Sequence, residues 1–326
     1  MRLTFLGTSA GAPTLERNVT ALALAIDEQK EWYLVDCGEG TQHRLMRSRY
    51  TLSGLKTIFI THVHGDHMFG LPGLITTASM QGRKEPLTIC APDGVESFVR
   101  HALKCADVSQ LPFSLRFQAT DVEGFAYQDK QLAVTAHELS HRVPSYAYRF
   151  AECCRPGALD QDRLNELGVP RGRLWGELQS GQSVTLEDGR VIEPEQVRQP
   201  PEPARIVVIG GDNDKPALLH KALQGAQLLV HEATFTEDVF QKVGPKYMHS
   251  TAKMVAEAAE QAGIDHVILT HISGRYRRKP KAGEYGVELL RSEAKQYFRG
   301  AVSLAEDWGC WQLFRDGRLE QIKEDK

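Results

Sequence analysis

The sequence predicts an α/β fold, because short apolar runs typical of β-strands alternate with stretches that place apolar residues at helical spacing. The runs with strand character are LALAI, WYLV, TIFIT, LTIC, LAVTAH, RIVVIG, LLVHE and HVILTH. The chain has 326 residues, of which 41% are hydrophobic and 25% are charged, a composition that supports a large buried core. We therefore expect one main domain over residues 1–326.

Two stretches carry the helical pattern, ESFVRHALKCA and STAKMVAEAAEQAG. The second ends at Gly263, and glycine commonly closes the C-terminus of a helix. Near the start of the chain, the glycine-rich segment GTSAG favours a tight turn between strands over a phosphate-binding loop, because no helical pattern follows it.

Net charge, the length of the apolar runs and the cysteine content limit the classes of protein to which the chain can belong. The formal net charge is −3, so no overall basic field indicates a polyanionic ligand. No apolar run approaches the length of a membrane span, and the N-terminus lacks the pattern of a signal peptide. The six cysteines show no C-x-x-C spacing, which favours free thiols in a reducing compartment. We expect a cytoplasmic protein without membrane association.

One region interrupts the alternation of strands and helices. Residues 155–203 are rich in proline, glycine and charge, with one short helical stretch (ALDQDRLNEL) and one hairpin-like stretch (SVTLEDGRVI). The region lies between a strand that ends near Phe150 and a strand that begins at Arg205. We predict that it is an inserted, protruding arm. Its acidic residues outnumber its arginines, so charge alone does not make it a nucleic-acid-binding element.

Several predicted strands end in residues that bind metals. The strands TIFIT, RIVVIG and HVILT lead to His62, Asp212 and His271, and LAVTAHELS leads towards His141. The carboxyl ends of strands in a helix-covered sheet deliver side chains to one edge. A single polar residue at a strand end usually has no functional role. Four potential metal ligands within the seven residues THVHGDH instead indicate a metal site.

The H-x-H-x-D-H pattern has the spacing of a metal site. Histidines two apart on extended chain point the same way, so His62 and His64 can bind one ion. Gly65 permits a sharp turn that aims Asp66 and His67 at a neighbouring point. Imidazole and carboxylate suit zinc, with manganese or cobalt as alternatives. Two complete sites need more ligands, and His141, His271 and Asp212 are available at strand ends.

These motifs together resemble the metallo-β-lactamase superfamily and, within it, the ribonuclease Z (ribonuclease BN) family of tRNA 3′-processing endoribonucleases. The resemblance runs through FLGTSAGAPTLERN, DCGEGTQ, THVHGDHMFGLPGL, the arm, HEAT, HST and THISGRY, and so covers most of the chain. The segment GGDND departs from the family in the residue after Asp212, which leaves the aspartate in place.

The resemblance implies an αβ/βα four-layer sandwich, a homodimer and two zinc ions per subunit. One ion would be held by His62, His64 and His141, the other by Asp66, His67 and His271, with Asp212 bridging them. It also implies that metal-activated hydroxide attacks precursor tRNA and leaves a 3′-hydroxyl, with Asp66 as the base. His249 of HST is the expected proton donor, and Glu232 of HEAT would orient it. A 3′-exoribonuclease activity is a further expectation.

Arginines are the candidates for binding the RNA backbone. They are Arg155, Arg171 and Arg173 in the arm and Arg275 in THISGRY. Two alternatives stay open at this point. The chain could be a hydrolase of small esters or phosphodiesters on the same fold, or a non-catalytic RNA-binding scaffold. The arm, HEAT and HST argue against the first alternative. The second should have lost potential ligands, whereas all seven are present.

Overall fold

The computed structural model describes residues 1–27, 29–108, 110–153 and 157–323. In chain order its strands are β1 (Arg2–Gly7), β2 (Ala21–Ala25), β3 (Trp32–Val35), β4 (Leu55–Phe59), β5 (Leu87–Ala91), β6 (Leu115–Ala119), β7 (Ala126–Gln128), β8 (Leu132–Leu139), β9 (Ser145–Glu152), β10 (Val184–Thr185), β11 (Val191–Ile192), β12 (Ile206–Gly210), β13 (Leu228–Glu232), β14 (His266–Thr270), β15 (Tyr276–Arg277), β16 (Tyr285–Gly286), β17 (Ala301–Leu304), β18 (Cys310–Leu313) and β19 (Leu319–Ile322). Each run that the sequence marked as a strand is confirmed as one.

The helices lie mostly between strands that are parallel in the sheets. They are α1 (Thr41–Leu45), α2 (Gly65–Met68), α3 (Leu71–Met80), α4 (Val95–Cys105), α5 (Gln161–Glu166), α6 (Arg173–Gln179), α7 (Glu237–Val243), α8 (Ala252–Ala262) and α9 (Glu288–Ala294), with 3-10 turns at Pro194–Gln196, Pro216–His220 and Pro245–Tyr247. Helix α8 is capped by Thr251 at its start and by Gly263 at its end, as its sequence predicts. None of the helices in the described residues combines the length and apolar character that a membrane span requires.

The chain divides into two units, each of which has its own core. The main unit contains the residues up to Ala151 and from Arg205 onward, and the second unit, which we call the arm unit, is Glu152–Ala204. In the arm unit, Asp160 caps α5 by accepting from Arg163 N at 3.0 Å, and β10 and β11 form the hairpin that the sequence predicts. Helix α6 was not anticipated. The apolar residues of the arm unit pack around Leu164, Leu178 and Ile192.

Two large sheets form the main unit. In the described residues the first has the strand order β19-β18-β1-β2-β3-β4-β5-β6, and the second has the order β17-β14-β13-β12-β9-β8-β7. Strands β3 to β6 are parallel, as are β12, β13, β14 and β17. The carboxyl ends of each parallel set therefore meet at one edge of their sheet.

The sheets pack face to face, and helices cover their outer faces. The inner core joins side chains of both sheets, such as Phe59 of β4 and Phe150 of β9, whose rings meet edge-on at 5.1 Å. A second cluster places α3 and α4 on the first sheet, and a third places α8 and α9 on the second sheet. The order helix, sheet, sheet, helix confirms the predicted four-layer sandwich.

Candidate active site

The chain after β4 changes from extended backbone to helix within the H-x-H-x-D-H pattern. His64 has an extended conformation, and Gly65 opens α2. A Cβ atom on Gly65 would lie 2.4 Å from the ring of Phe69, so any larger residue here would force that ring to move. The two histidines before Gly65 and the two residues after it join separate groups of potential ligands, as the turn at glycine predicts.

The first group contains three imidazole nitrogens that converge on one point. His64 Nδ1 lies 3.1 Å from His62 Nε2 and 3.2 Å from His141 Nε2. The other ring nitrogen of His62 contacts Thr61 Oγ1 at 3.0 Å, and that of His141 contacts the Met248 carbonyl oxygen at 2.9 Å. Because these partners accept the ring N–H groups, both Nε2 atoms present lone pairs to the shared point.

The second group lies beside the first. His271 Nε2 is 3.3 Å from His67 Nε2 and 3.3 Å from Asp66 Oδ2. Asp36 orients His67 from behind by accepting from its Nδ1 at 2.7 Å. Thr61 fixes Asp36 in turn, because its backbone N–H donates to Asp36 Oδ1 at 2.8 Å. Asp36 therefore supports a histidine of the group without joining the group.

Asp212 lies between the two groups, and each of its oxygens faces one of them. Its Oδ1 is 3.4 Å from the Nε2 atoms of His67 and His271. Its Oδ2 is 3.7 Å from His62 Nε2 and 3.8 Å from His141 Nε2. Among the described residues, the buried Oδ1 atom has no hydrogen-bond partner. A buried carboxylate oxygen without a donor is costly, and a cation between the groups would satisfy it.

The ionisation of Asp212 and His62 suits a cation. Burial raises the pKa of Asp212, but the neighbouring His271 and His67 lower it more, so that the pKa lies well below its ordinary value. Burial holds the pKa of His62 well below its ordinary value. His67 differs, because burial lowers its pKa but the charges of Asp66, Asp212 and Asp36 outweigh burial and raise the pKa well above the ordinary value, so a metal ion would have to displace its proton. An ionised carboxylate and a neutral imidazole are the states that bind metal ions. The residues therefore fit divalent transition metals such as zinc.

His249 lies at the same edge and contacts a second buried carboxylate. Its Nδ1 donates to Glu232 Oε1 at 3.0 Å and is 3.8 Å from Asp212 Oδ2. Burial lowers the pKa of His249, but the charge of Glu232 and the hydrogen bond between them raise it to about 9 overall. The imidazole is thus protonated near neutral pH, and its Nε2 can carry a proton outward.

Glu232 is buried and holds several elements together. Its Oε1 also accepts from the backbone N–H groups of Ser250 at 3.0 Å and Asn213 at 3.1 Å. Its Oε2 accepts from the backbone N–H of Thr234 at 3.1 Å and from Thr234 Oγ1 at 2.6 Å. Thr234 Oγ1 is in turn 3.2 Å from His271 Nδ1. Glu232 therefore links His249 to a histidine of the second group.

A cavity of about 490 Å³ opens onto both groups. Its lining includes His64, Asp66, Asp212, His249 and His271, together with Phe69 and Arg142. The backbone N–H of Gly11, in the predicted turn GTSAG, donates to Asp66 Oδ2 at 2.9 Å. The early turn thus contributes to the site through its backbone.

The predicted RNA-binding arginines are dispersed. Arg171 and Arg173 belong to the arm unit, where Arg171 lies 5.2 Å over the ring of Trp175 and Arg173 pairs with Glu177 at 2.7 Å. Arg275 is exposed in the main unit. Arg155 lies outside the described residues.

The sequence did not single out several side chains that shape the site. Thr61 and Thr234 were named only within the motifs THVHGDH and HEAT, although each bonds a carboxylate and a histidine of the site. Their position next to a ligand or carboxylate in those motifs was the available signal. Arg142, which follows His141 directly, and Phe69 had no such signal.

Comparisons with known proteins show which family the chain belongs to. A sequence-family model described as Anti-Pycsar protein Apyc1 matches residues 1–147. A Ribonuclease Z from Marinobacter nauticus is 47% identical over 99% of this chain and 99% of its own length, and one from Pseudomonas putida is 46% identical over 99% and 100%. The crystal structure of the short form of human tRNase Z superposes with a TM-score of 0.63 at 28% identity, over 95% of this chain and 98% of that one.

The two stacked sheets with helices on their outer faces have the metallo-β-lactamase fold. A metallo-β-lactamase fold protein from Bacillus subtilis shares the architecture, with a TM-score of 0.63 at 19% identity over 95% of this chain and 98% of that one. The chain is more than 45% identical to the two bacterial ribonucleases Z over nearly its full length. It therefore belongs to the ribonuclease Z family.

Proposed function

We propose that this protein is a metal-dependent endoribonuclease that removes 3′ trailers from precursor tRNA and leaves a 3′-hydroxyl on the tRNA. The observation that carries the proposal is the position of Asp212, whose two oxygens face two groups of ligands in one cavity. The family membership of the whole chain supports tRNA as the substrate.

We assign the seven potential ligands to two zinc ions per subunit. His62, His64 and His141 would hold one ion, Asp66, His67 and His271 the other, and Asp212 both. Manganese or cobalt would suit the same donors. When bound, two such ions lower the pKa of a water molecule to about 7 and offset charge on the phosphoryl oxygens.

The side chains of the site move the protons of the reaction. As the water oxygen bonds to phosphorus, Asp66 accepts a proton from the water. The bond from phosphorus to the ribose 3′-oxygen breaks, and His249 donates the proton on its Nε2 to that oxygen. Burial raises the pKa of Asp66, but His67 and His271 lower it by more, so the pKa lies below its ordinary value. The carboxylate is therefore ionised and a weak base. Its position in the cavity, rather than its basicity, supports this role.

Glu232 fixes the direction of proton donation. Because it accepts the proton on Nδ1 of His249, the Nε2 atom is the one that faces the reaction. The trailer leaves with a 5′-phosphate, and the charge on the departing 3′-oxygen is neutralised by the donated proton.

Cleavage of an end-labelled precursor tRNA by the metal-reconstituted protein tests the proposal. We expect one cut at the 3′ end of the tRNA, with a 3′-hydroxyl product that poly(A) polymerase can extend. A protein that hydrolyses small esters or phosphodiesters but leaves precursor tRNA intact would favour the small-substrate alternative. A protein that binds tRNA without cutting it would favour the scaffold. The same gel would reveal a 3′-exoribonuclease activity as a ladder of shortened trailers.

We further propose that the arm unit binds tRNA through exposed arginines such as Arg171 and Arg173. The side chain of Arg173 is 89% exposed, so its ion pair with Glu177 costs little to exchange for a phosphate. Replacing both by alanine should weaken tRNA binding in a filter assay without changing hydrolysis of bis-nitrophenyl phosphate. Equal losses of both activities would instead assign the arm unit a role in folding.

We also propose a homodimer that works in the cytoplasm. An arm of one subunit can then hold a tRNA that the other subunit cleaves. Cys37 and Cys90 are buried and free of disulfide bonds, in keeping with a reducing compartment. Sedimentation velocity should give the mass of two chains, and fractionation should place the protein with cytoplasmic markers. A monomer at working concentration would contradict the shared-substrate arrangement.

A further inference from the structure

An exposed aromatic ring stands at the cavity of the candidate active site. Phe69 is 55% exposed and lines the same cavity as His64, Asp66 and His249. Single exposed apolar residues are common on protein surfaces and need no explanation by themselves. Phe69 differs from them because two further contacts hold its ring in place.

The first contact is with another aromatic ring. Phe98 of α4 stacks on Phe69 with the ring centroids 5.5 Å apart and an interplanar angle of 28°. Phe98 is partly buried against the core of the first sheet, so it anchors the stack to the fold. The stack with Phe98 holds the plane of the Phe69 ring, and Phe69 is still 55% exposed.

The second contact ties the ring to the ligand motif itself. Phe69 follows Gly65 by one helical turn, and its backbone N–H donates to the Gly65 carbonyl oxygen at 2.9 Å. The ring approaches Gly65 so closely that a Cβ atom there would lie 2.4 Å from Phe69 Cε2. Because Gly65 lies between His64 and Asp66, the ring is held one residue away from a potential ligand of each metal group.

We propose that Phe69 is a stacking platform for the base of one of the two nucleotides that flank the scissile phosphate. This inference rests on the proposed function, since it requires that an RNA phosphate enters the cavity. Every base has a π face, and proteins that bind single-stranded RNA stack bases on fixed aromatic rings without reading their sequence. A stacked base next to the scissile bond would fix the position of the phosphate along the RNA chain.

The test combines a protein change with an RNA change. Phe69→Ala should lower kcat/KM for precursor tRNA cleavage by roughly 5- to 150-fold, the equivalent of the about 1–3 kcal/mol that a base–aromatic stack contributes. The loss should appear mainly in KM, because the stack forms in the bound ground state as well as in the transition state. Phe69→Trp, which keeps a stacking ring, should retain most of the activity.

The second half uses precursor tRNAs with an abasic nucleotide at the last tRNA position or at the first trailer position. One of the two should be cut more slowly by the wild-type protein, and Phe69→Ala should add no further loss on that RNA. If Phe69→Ala slows cleavage equally on intact and on both abasic RNAs, the ring does not stack on either base and the proposal is wrong.

Matched variants separate stacking from folding. Phe69→Leu keeps an apolar side chain over Gly65, so it carries the same test if Phe69→Ala does not fold. Tyr297→Ala removes an aromatic residue that is 37% exposed away from this cavity, and it should have no effect on either RNA. Cleavage of the intact RNA by the wild-type protein tests the proposed function separately. If the wild-type protein does not cleave the intact RNA, both the proposed function and the stacking proposal are wrong. If it cleaves the intact RNA but Phe69→Ala has the same effect on intact and abasic RNAs, only the stacking proposal is wrong.

Discussion

Replacing His249 by alanine should separate proton donation from every other task of the site. The imidazole contacts Glu232 Oε1 at 3.0 Å, but that carboxylate keeps hydrogen bonds from Ser250, Asn213 and Thr234 when the histidine is gone. The side chain of His249 is 13% exposed and lines the cavity, so the space that it leaves joins that cavity. We therefore expect the variant to fold normally and to keep its metal ions.

The size of the effect follows from the leaving group. A ribose 3′-alkoxide is strongly basic, so its departure benefits from a donated proton, and losing general acid catalysis costs roughly 10²–10⁴-fold in rate. This range equals about 2.7–5.4 kcal/mol of transition-state stabilisation. A nitrophenolate leaves readily without a proton, so hydrolysis of bis-nitrophenyl phosphate should change far less.

Single-turnover cleavage of precursor tRNA, hydrolysis of bis-nitrophenyl phosphate and metal content by mass spectrometry would be measured on one preparation. His101→Ala, a change in an exposed histidine of α4, serves as the control. Equal losses on both substrates with metals intact would refute the donor role and make His249 a phosphate-binding residue. Loss of metal would place His249 in the coordination shell.

Three further changes test other parts of the structure. Glu232→Gln should slow tRNA cleavage by roughly 10–100-fold, because it loosens the partner that orients His249, and single-turnover rates would measure this. Asp212→Ala should reduce bound metal below two ions per chain and abolish cleavage, and two retained ions by mass spectrometry would contradict the bridging role. Burial raises the pKa of Asp27, but bonds from Gln312 and the N-terminal ammonium lower it to about 2 overall. Its folded-state pKa is thus depressed, so it stabilises the fold above about pH 4. That contribution should be lost as the pH falls from about 4 towards 2. Over this range, the free energy of unfolding measured in urea should decrease more steeply for the metal-free wild type than for Asp27→Asn.

The sequence predicted which side chains come together because each of them obeys a local rule. The spacing of H-x-H-x-D-H with a central glycine fixes two pairs, and the structure divides them between two groups at Gly65. His271 and Asp212 follow apolar strands directly, so the carboxyl-end rule was enough to bring them to one edge. The segments TIFITHVHG and HVILTHISG contain β4 and β14, one in each sheet.

The sequence alone could not distinguish His231 from the histidines that face the site, because the difference depends on tertiary packing. His231 also ends an apolar strand, yet its ring packs on Gly210 of the adjacent strand, where a Cβ atom would lie 2.9 Å from His231 Cδ2. Its Nδ1 donates to the Glu232 carbonyl oxygen at 2.7 Å, and its Nε2 lies 3.1 Å from Asn213 Nδ2. Successive residues of a strand face opposite sides, so His231 is turned away while Glu232 faces the site.

The site is also a product of the packing between sheets. The H-x-H-x-D-H segment follows a strand of the first sheet, whereas Asp212 and His271 follow strands of the second. The Tyr148 hydroxyl, on β9 of the second sheet, donates to the Ile60 carbonyl oxygen at 2.7 Å, two residues before His62. Ligands from two sheets can share Asp212 only when the inner core sets the distance between those sheets. A cation held between these two sets of side chains would therefore stabilise the same packing that creates the site.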